Sequence, residues 1–154
     1  MDQYPMDPNY SEIDFEYLPN GGLGQNTHTL YFTSWETYQA EPWIQDSLSF
    51  ASATDQAGCK QLVVQIDGSE MRYYLDGELQ TVQGGEYYPE TPMSINFNLW
   101  FINNGLVDSF TPRAYEQNID WMLFVKDEIL TPQQIGNKVE QLRTEKRTYL
   151  NTTR

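Results

Sequence analysis

Residues 11–18, SEIDFEYL, alternate strictly between acidic and apolar side chains. Successive side chains of a β-strand point to opposite faces, so Glu12, Asp14 and Glu16 share one face and the apolar residues share the other. The stretch therefore predicts a strand with one buried face. The residues PNGG at 19–22 predict a turn directly after it.

Strand patterns continue outward from this stretch along most of the chain. Tight turns are predicted at Gly68–Ser69 and Asp76–Gly77. The predicted strands lie at about 28–37, 44–52, 61–67, 71–76, 77–82, 93–101 and 116–126. The tail changes to a helical pattern, with Thr131 as N-cap and Pro132 at the first helical position. We therefore expect an all-β domain over residues 1–130 and a short helical tail over residues 131–154.

The charge of the chain restricts its partners. Its 154 residues include 22 acidic and 9 basic side chains, a formal net charge of −13. A protein this acidic repels phosphate backbones, so the sequence argues against nucleic-acid binding. The same repulsion disfavours anionic membranes and sulfated or carboxylated polymers. A neutral partner is the consistent choice.

Composition and residue order add four further expectations. Aromatic residues make up 14% of the chain, which favours sheets and suits sugar binding, because a pyranose ring stacks its C–H face on an aromatic ring. Cys59 is the sole cysteine, so no internal disulfide forms. No apolar run approaches the roughly 18 residues that span a bilayer. The first residues also lack the basic and apolar regions of a signal peptide.

The carboxylate triplet has two interpretations. Three acids side by side repel one another, so a purely structural sheet rarely places them there, although a solvated outer face is the simple alternative. The functional interpretation is glycoside hydrolysis, in which one carboxyl is the nucleophile and another is the acid/base. Mutual repulsion keeps one of the acids protonated near neutral pH. Four residues of strand span roughly 13 Å, whereas a retaining pair needs about 5–5.5 Å between carboxyls. The two glutamate side chains must therefore lean toward each other.

Four stretches of the sequence resemble glycoside hydrolase family 16, which includes laminarinases and lichenases. SEIDFEYL resembles the catalytic signature of that family. Three further stretches resemble later elements in the family's order, namely YYLDGEL at 73–79, PMSINFNLWF at 92–101 and NIDWMLFV at 118–125. Together they are far more specific than the three acids alone.

The resemblance implies a fold and an activity. The fold is a concanavalin-like jelly-roll β-sandwich, and the activity is internal cleavage of a neutral β-glucan with retention at the anomeric carbon. By position, Glu12 would be the nucleophile, Asp14 its assisting acid and Glu16 the acid/base. No cofactor is implied. A structural calcium ion is common in the family, but no Asp-rich loop supports one here. Secretion is implied as well, because polymeric β-glucans lie outside the cell.

Two further strands are predicted to line the sugar cleft. In residues 93–101, Met93, Ile95, Phe97 and Leu99 are predicted to be core, and the opposite side is predicted to bind substrate through Asn96, Asn98 and Trp100. On the strand after the acids, one face is predicted to form the neighbouring wall through Tyr31, Thr33 and Trp35. Trp43 and Glu36 either line the mouth of the cleft or lie in an exposed loop.

One departure from the family leaves alternatives open. The family places several strands before its catalytic strand, whereas this chain begins eleven residues before Glu12. We expect either a compact variant or an incomplete domain, whose open sheet edge would favour a homo-oligomer. The alternatives to hydrolysis are a non-catalytic carbohydrate-binding sandwich, an inactive fragment, and a transglycosylase of the same family.

Overall fold

Two three-stranded antiparallel sheets make up most of the described structure, a computed structural model that covers residues 10–39, 42–101 and 110–152. The first sheet has the strand order β1-β2-β3 and the second has the order β4-β5-β6. The strands are β1 (Glu12–Leu18), β2 (Thr29–Gln39), β3 (Ile44–Ser52), β4 (Leu62–Ile66), β5 (Glu70–Leu75) and β6 (Glu78–Gly84). Neighbouring strands in each sheet follow one another along the chain, so each sheet is a meander. The predicted all-β class is therefore confirmed.

The register of the first sheet separates a polar face from an apolar one. Phe15 on β1 lies opposite Phe32 on β2, which lies opposite Phe50 on β3. The row beside it runs from Asp14 through Thr33 to Ser49. Because alternate residues of a strand face opposite ways, the aromatic rows pack toward the second sheet and the polar rows face away from it.

The core lies between β2 and β5. Phe32, Met71 and Tyr73 are fully buried there, and Leu30 and Leu75 complete the cluster. The rings of Phe32 and Tyr73 meet edge to face with centroids 6.0 Å apart. This geometry is the favoured one for aromatic pairs. The two sheets are therefore held together mainly by aromatic packing.

A buried hydrogen-bond network also joins the two sheets. The Oγ of Ser34 lies 2.6 Å from the Tyr73 hydroxyl and 2.6 Å from Oε1 of Gln83. The Gln83 amide donates to the Phe32 carbonyl at 3.0 Å, and the Tyr73 hydroxyl lies 3.2 Å from the Thr33 carbonyl. These polar groups are excluded from water, so each depends on the others for its hydrogen bonds. The network fixes how β2 lies over β5 and β6.

The helix α1 (Pro132–Thr144) confirms the helical tail. Thr131 and Gln134 form a capping box at its start, with Pro132 in the first turn. The Gln65 amide donates to the Leu130 carbonyl at 2.7 Å. This bond ties the segment leading into α1 to β4. In the described ranges, no helix is long and apolar enough to cross a bilayer.

Two of the predicted strands are wrong. Residues 93–101 and 116–126 belong to neither sheet in the described structure. Ile95, Phe97 and Leu99, which were predicted to be core, are more than half exposed. An alternating pattern specifies which face a strand buries once a ladder forms, but the ladder itself needs a neighbouring edge. In the described structure these residues pair with no edge of either sheet.

We expect Tyr73→Phe to lower the free energy of unfolding by about 1–2 kcal/mol, because the hydroxyl bonds groups that water cannot reach. Urea denaturation measures this difference. Tyr17→Phe is the matched control, since the Tyr17 side chain is 42% exposed, and it should change stability by less than about 0.5 kcal/mol. Equal losses in the two variants would show that the buried network contributes nothing.

Candidate functional site

The pairing of β1 with β2 brings the three acids opposite three predicted cleft residues. Glu12 lies opposite Trp35, Asp14 opposite Thr33 and Glu16 opposite Tyr31. All three acids are half-buried. Residues that are directly opposite in an antiparallel pair share a face. We call this surface, formed by residues 12, 14 and 16 of β1 and residues 31, 33 and 35 of β2, the carboxylate face.

Asp14 is the most strongly perturbed of the three acids. Burial, reinforced by the negative charges of Glu12 and Glu16, raises the pKa of Asp14 from 3.8 to about 7. The indole Nε1 of Trp35 donates to Oδ2 of Asp14 at 2.9 Å and opposes this rise. An oxygen that accepts such a bond is the poorer place for a proton. Near neutral pH, the proton of Asp14 therefore belongs on Oδ1.

Glu12 is held by a residue that the sequence analysis missed. The Tyr10 hydroxyl donates to Oε2 of Glu12, and the Tyr10 side chain is buried. Burial and the nearby Glu12 carboxylate raise the pKa of Tyr10, so its hydroxyl stays a donor. A hydrogen bond between Glu12 and Asp14 also contributes to the raised pKa of Asp14. Tyr10 lies two residues before Glu12, which is the spacing of one strand face, but it precedes β1 and was not included in the predicted strand.

Glu16 lies at the other end of the carboxylate face, beside a tight turn. Burial, followed by the charge of Glu12, raises the pKa of Glu16. The Tyr31 hydroxyl donates to the Gly22 carbonyl at 3.1 Å and so fixes the turn. Gly21 has a φ of +79°, and a Cβ at this position would lie 2.7 Å from the Gln25 carbonyl oxygen. Only glycine fits there without strain.

The three predicted cleft residues of β2 differ in what they offer a ligand. Tyr31 is 7% exposed and Thr33 is 2% exposed. Their hydroxyls contact the turn and Ser49, respectively. Trp35 is only half-buried. Tyr31 and Thr33 are therefore too buried to contact a ligand directly, and they support the sheet. The Trp35 ring is the more accessible of the three side chains.

The second predicted wall is not brought to the carboxylate face. Asn96, Asn98 and Trp100 are exposed and lie in the stretch that belongs to neither sheet. The Asn96 amide donates to Oγ of Ser94 at 2.9 Å, two residues away. The contacts described for these three residues include none with the acids. Their role in substrate binding stays a prediction.

Aromatic rings extend the carboxylate face beyond Trp35. The Tyr38 ring meets Trp35 edge to face with centroids 6.0 Å apart, and Trp43 meets Tyr38 in the same way at 5.2 Å. Tyr38 was not predicted as a site residue. A bulge in β2 between Trp35 and Thr37 decides where its side chain lies. Simple alternation assigns Tyr38 to the opposite face, which is why it was missed.

The arrangement supports acid–base chemistry with carboxyl groups. Glu12 and Glu16 both raise the pKa of Asp14, and Glu12 also raises that of Glu16. At neutral pH such a set holds a proton beside an ionised carboxylate, which is what a nucleophile and an acid on one surface require. In the described residues, no group of three or more His, Cys, Asp or Glu side chains is placed to hold a metal ion.

A cavity of about 380 Å³ lies elsewhere, between the start of α1 and the β4–β5 region. Asp76 is its ionisable lining residue. The Asp76 carboxylate accepts from the backbone N–H of Gln61 at 2.9 Å and pairs with Lys60 at 3.1 Å. These contacts occupy both of its oxygens. The carboxylate face is therefore the better candidate for chemistry.

Comparison with known proteins gives no match: no protein-family model fits the chain, and no curated protein or solved structure is significantly similar to it. The resemblance to glycoside hydrolase family 16 rests on the sequence stretches alone.

We expect stability to fall between about pH 4 and pH 7 because of Asp14. Its folded pKa of about 7 lies above the ordinary 3.8. Between these values the folded state binds more protons than the unfolded chain, so raising the pH favours unfolding. Asp14→Asn keeps an oxygen for the Trp35 indole and removes the charge. Over this pH range, the free energy of unfolding should fall by about 1–3 kcal/mol less in the variant than in the wild type. Urea unfolding at each pH measures the difference.

The matched control is Asp127→Asn, because the Asp127 side chain is 84% exposed. It should follow the pH dependence of the wild type. An Asp14→Asn curve parallel to the wild-type curve would contradict the raised pKa of Asp14.

Proposed function

We propose that the protein is a retaining endo-hydrolase of neutral β-glucans with the fold of a concanavalin-like jelly roll. The observation that carries the proposal is the carboxylate face, where Glu12 and Glu16 flank Asp14, whose pKa is raised to about 7. The Trp35 ring beside them suits a sugar. The net charge of −13 favours a neutral polymer over an anionic one.

Each acid has one role in the proposed reaction. Glu12 attacks the anomeric carbon and forms a glycosyl ester, while Glu16 gives its proton to the departing glycosidic oxygen. Glu16 then takes a proton from water, the water oxygen attacks the same carbon, and Glu12 leaves as a carboxylate. The two displacements restore the starting configuration. Asp14 keeps its proton on the side of Glu12 and holds that carboxylate in place.

The half-burial of the acids supports these roles. Protonation of Glu16 at working pH requires a pKa above its ordinary value, and burial shifts the pKa in that direction. The Glu12 charge also raises the pKa of Glu16, so the two carboxyls interact although they are four residues apart. Glu12 is held in position by the hydrogen bond that it accepts from Tyr10.

In the proposed site, a second wall of the cleft is supplied from outside the six strands. Asn96, Asn98 and Trp100 would form that wall. β1 lies at the edge of its sheet in the described structure, so its outer side is open to another strand. That strand could also come from a second copy of the chain. The proposed site of action is outside the cell, where polymeric β-glucans occur.

A second candidate function is carbohydrate binding without catalysis. It is favoured by the position of Asn96, Asn98 and Trp100, which have no described contact with the acids. An incomplete cleft would still let the carboxylates accept hydrogen bonds from sugar hydroxyls while Trp35 stacks on a ring.

We expect the wild type to release reducing ends from at least one of laminarin, lichenan and cellulose-type oligosaccharides. Glu12→Gly should lose at least about a thousandfold in kcat, because it removes the nucleophile. Added azide should restore part of the activity by attacking the anomeric carbon from the vacated side. The product is then an α-glycosyl azide, which proton NMR distinguishes from the β-anomer.

Glu78→Gln is the control, because Glu78 is an exposed acid on the second sheet, and it should keep wild-type activity. If the products contain a sugar acceptor in place of water, the protein is a transglycosylase. A folded wild type that cleaves none of the glucans but binds one would favour the second candidate function.

A further inference from the structure

A row of three aromatic side chains runs from the carboxylate face toward the β2–β3 connection. Trp35 lies opposite Glu12 on β1 and Ser47 on β3. After the bulge at Glu36, Tyr38 lies opposite Gln45. Gln45 and Ser47 are two residues apart on one strand and therefore share a face. The bulge thus returns Tyr38 to the side of the sheet that carries Trp35 and Glu12.

The rings hold one another in fixed orientations. Trp35 and Tyr38 are almost perpendicular, with an interplanar angle of 88°, and Tyr38 and Trp43 form an angle of 89°. The successive centroid distances of 6.0 and 5.2 Å are comparable to the length of a single hexopyranose ring. Packing against Tyr38 orders Trp43 without covering it. The Trp43 side chain remains 61% exposed.

A ligand that covers the exposed Trp43 ring would gain several tens of calories per Å² of apolar surface removed from water. The surroundings decide its chemistry. The row is continuous with Glu12 and Asp14, and the chain carries a net charge of −13. An anionic polymer would be repelled, whereas a purely apolar ligand would leave the neighbouring Gln45 and Ser47 without hydrogen-bond partners. A neutral glycan satisfies both, since its ring faces stack and its hydroxyls donate.

We propose that Trp35, Tyr38 and Trp43 form an extended binding row for the part of a neutral glycan that lies beyond Glu12. Trp43 is the outermost ring and stacks a sugar unit remote from the scissile bond, with Tyr38 fixing its orientation. The inference rests on the proposed function of the carboxylate face for its substrate class. It adds a binding position that the catalytic acids do not require.

Binding is measured separately from cleavage. Laminarihexaose and cellohexaose are titrated by calorimetry into Glu12→Gln, which should not turn them over, and into Glu12→Gln carrying a second substitution. We expect Trp43→Ala to weaken the better-bound hexasaccharide about tenfold, which corresponds to about 1.4 kcal/mol. Trp43→Phe should recover most of the affinity, since it retains a ring. Tyr149→Ala is the control, because Tyr149 is a 79% exposed aromatic outside the row.

The same substitution in the active protein should raise KM with kcat unchanged, because a remote contact binds substrate and transition state alike. Weaker binding in Trp43→Ala without any hydrolysis by the wild type would keep the binding row and reject the hydrolase. Hydrolysis by the wild type with Kd and KM unchanged in Trp43→Ala would reject the binding row and keep the hydrolase. Failure of both hexasaccharides to bind, or equal binding of hexagalacturonate, would also overturn the inference.

Discussion

The contacts of the Phe32 ring set the register on which the site depends. Phe32 is fully buried and meets Phe15 and Phe50 within its own sheet and Tyr73 in the other. A slip of β1 by one residue would turn Phe15 outward and bring Asp14 into the aromatic core. The cost of burying a carboxylate among apolar rings is several kcal/mol, so that register is strongly disfavoured. The register that buries Phe15 in the core is thus the same register that keeps Asp14 on the carboxylate face.

Repulsion between the acids of the carboxylate face is unfavourable, and the same repulsion raises the pKa of Asp14. Asp14 lies between two other acids, and burial reduces the screening that water would provide. The fold holds the acids there because alternate residues of the same strand supply the apolar packing. Tyr10 and the Trp35 indole offset part of the cost by donating hydrogen bonds to the acids. The chemical result is that Asp14 can hold a proton near neutral pH.

The two sides of the carboxylate face are supported differently. On the Glu16 side, the Tyr31 hydroxyl anchors a glycine turn. On the Glu12 side, the bulge at Glu36 turns Tyr38 toward Trp35 and leaves Trp43 exposed. A glycan seated on the acids would therefore have more stacking surface toward Glu12 than toward Glu16. The described surface is therefore asymmetric, with its exposed aromatic rings on the Glu12 side.

Much of this could be read from the sequence, because it depends only on local periodicity. The spacing of Glu12, Asp14 and Glu16 fixes their common face, the alternation along β2 places Trp35 with them, and Thr131 and Pro132 mark the start of α1. Other features depend on distant partners. Residues 93–101 have the alternation of a strand, yet a strand forms only where it pairs with a neighbour, and these residues pair with neither sheet. Tyr38 joined the site through a bulge, which the two-residue period does not encode. Where a strand is unbroken, the sequence determined which side chains share a face, because the strand has a fixed period. Only the tertiary structure decided which faces meet and how far the pKa of Asp14 is raised, since both depend on burial and on neighbouring side chains.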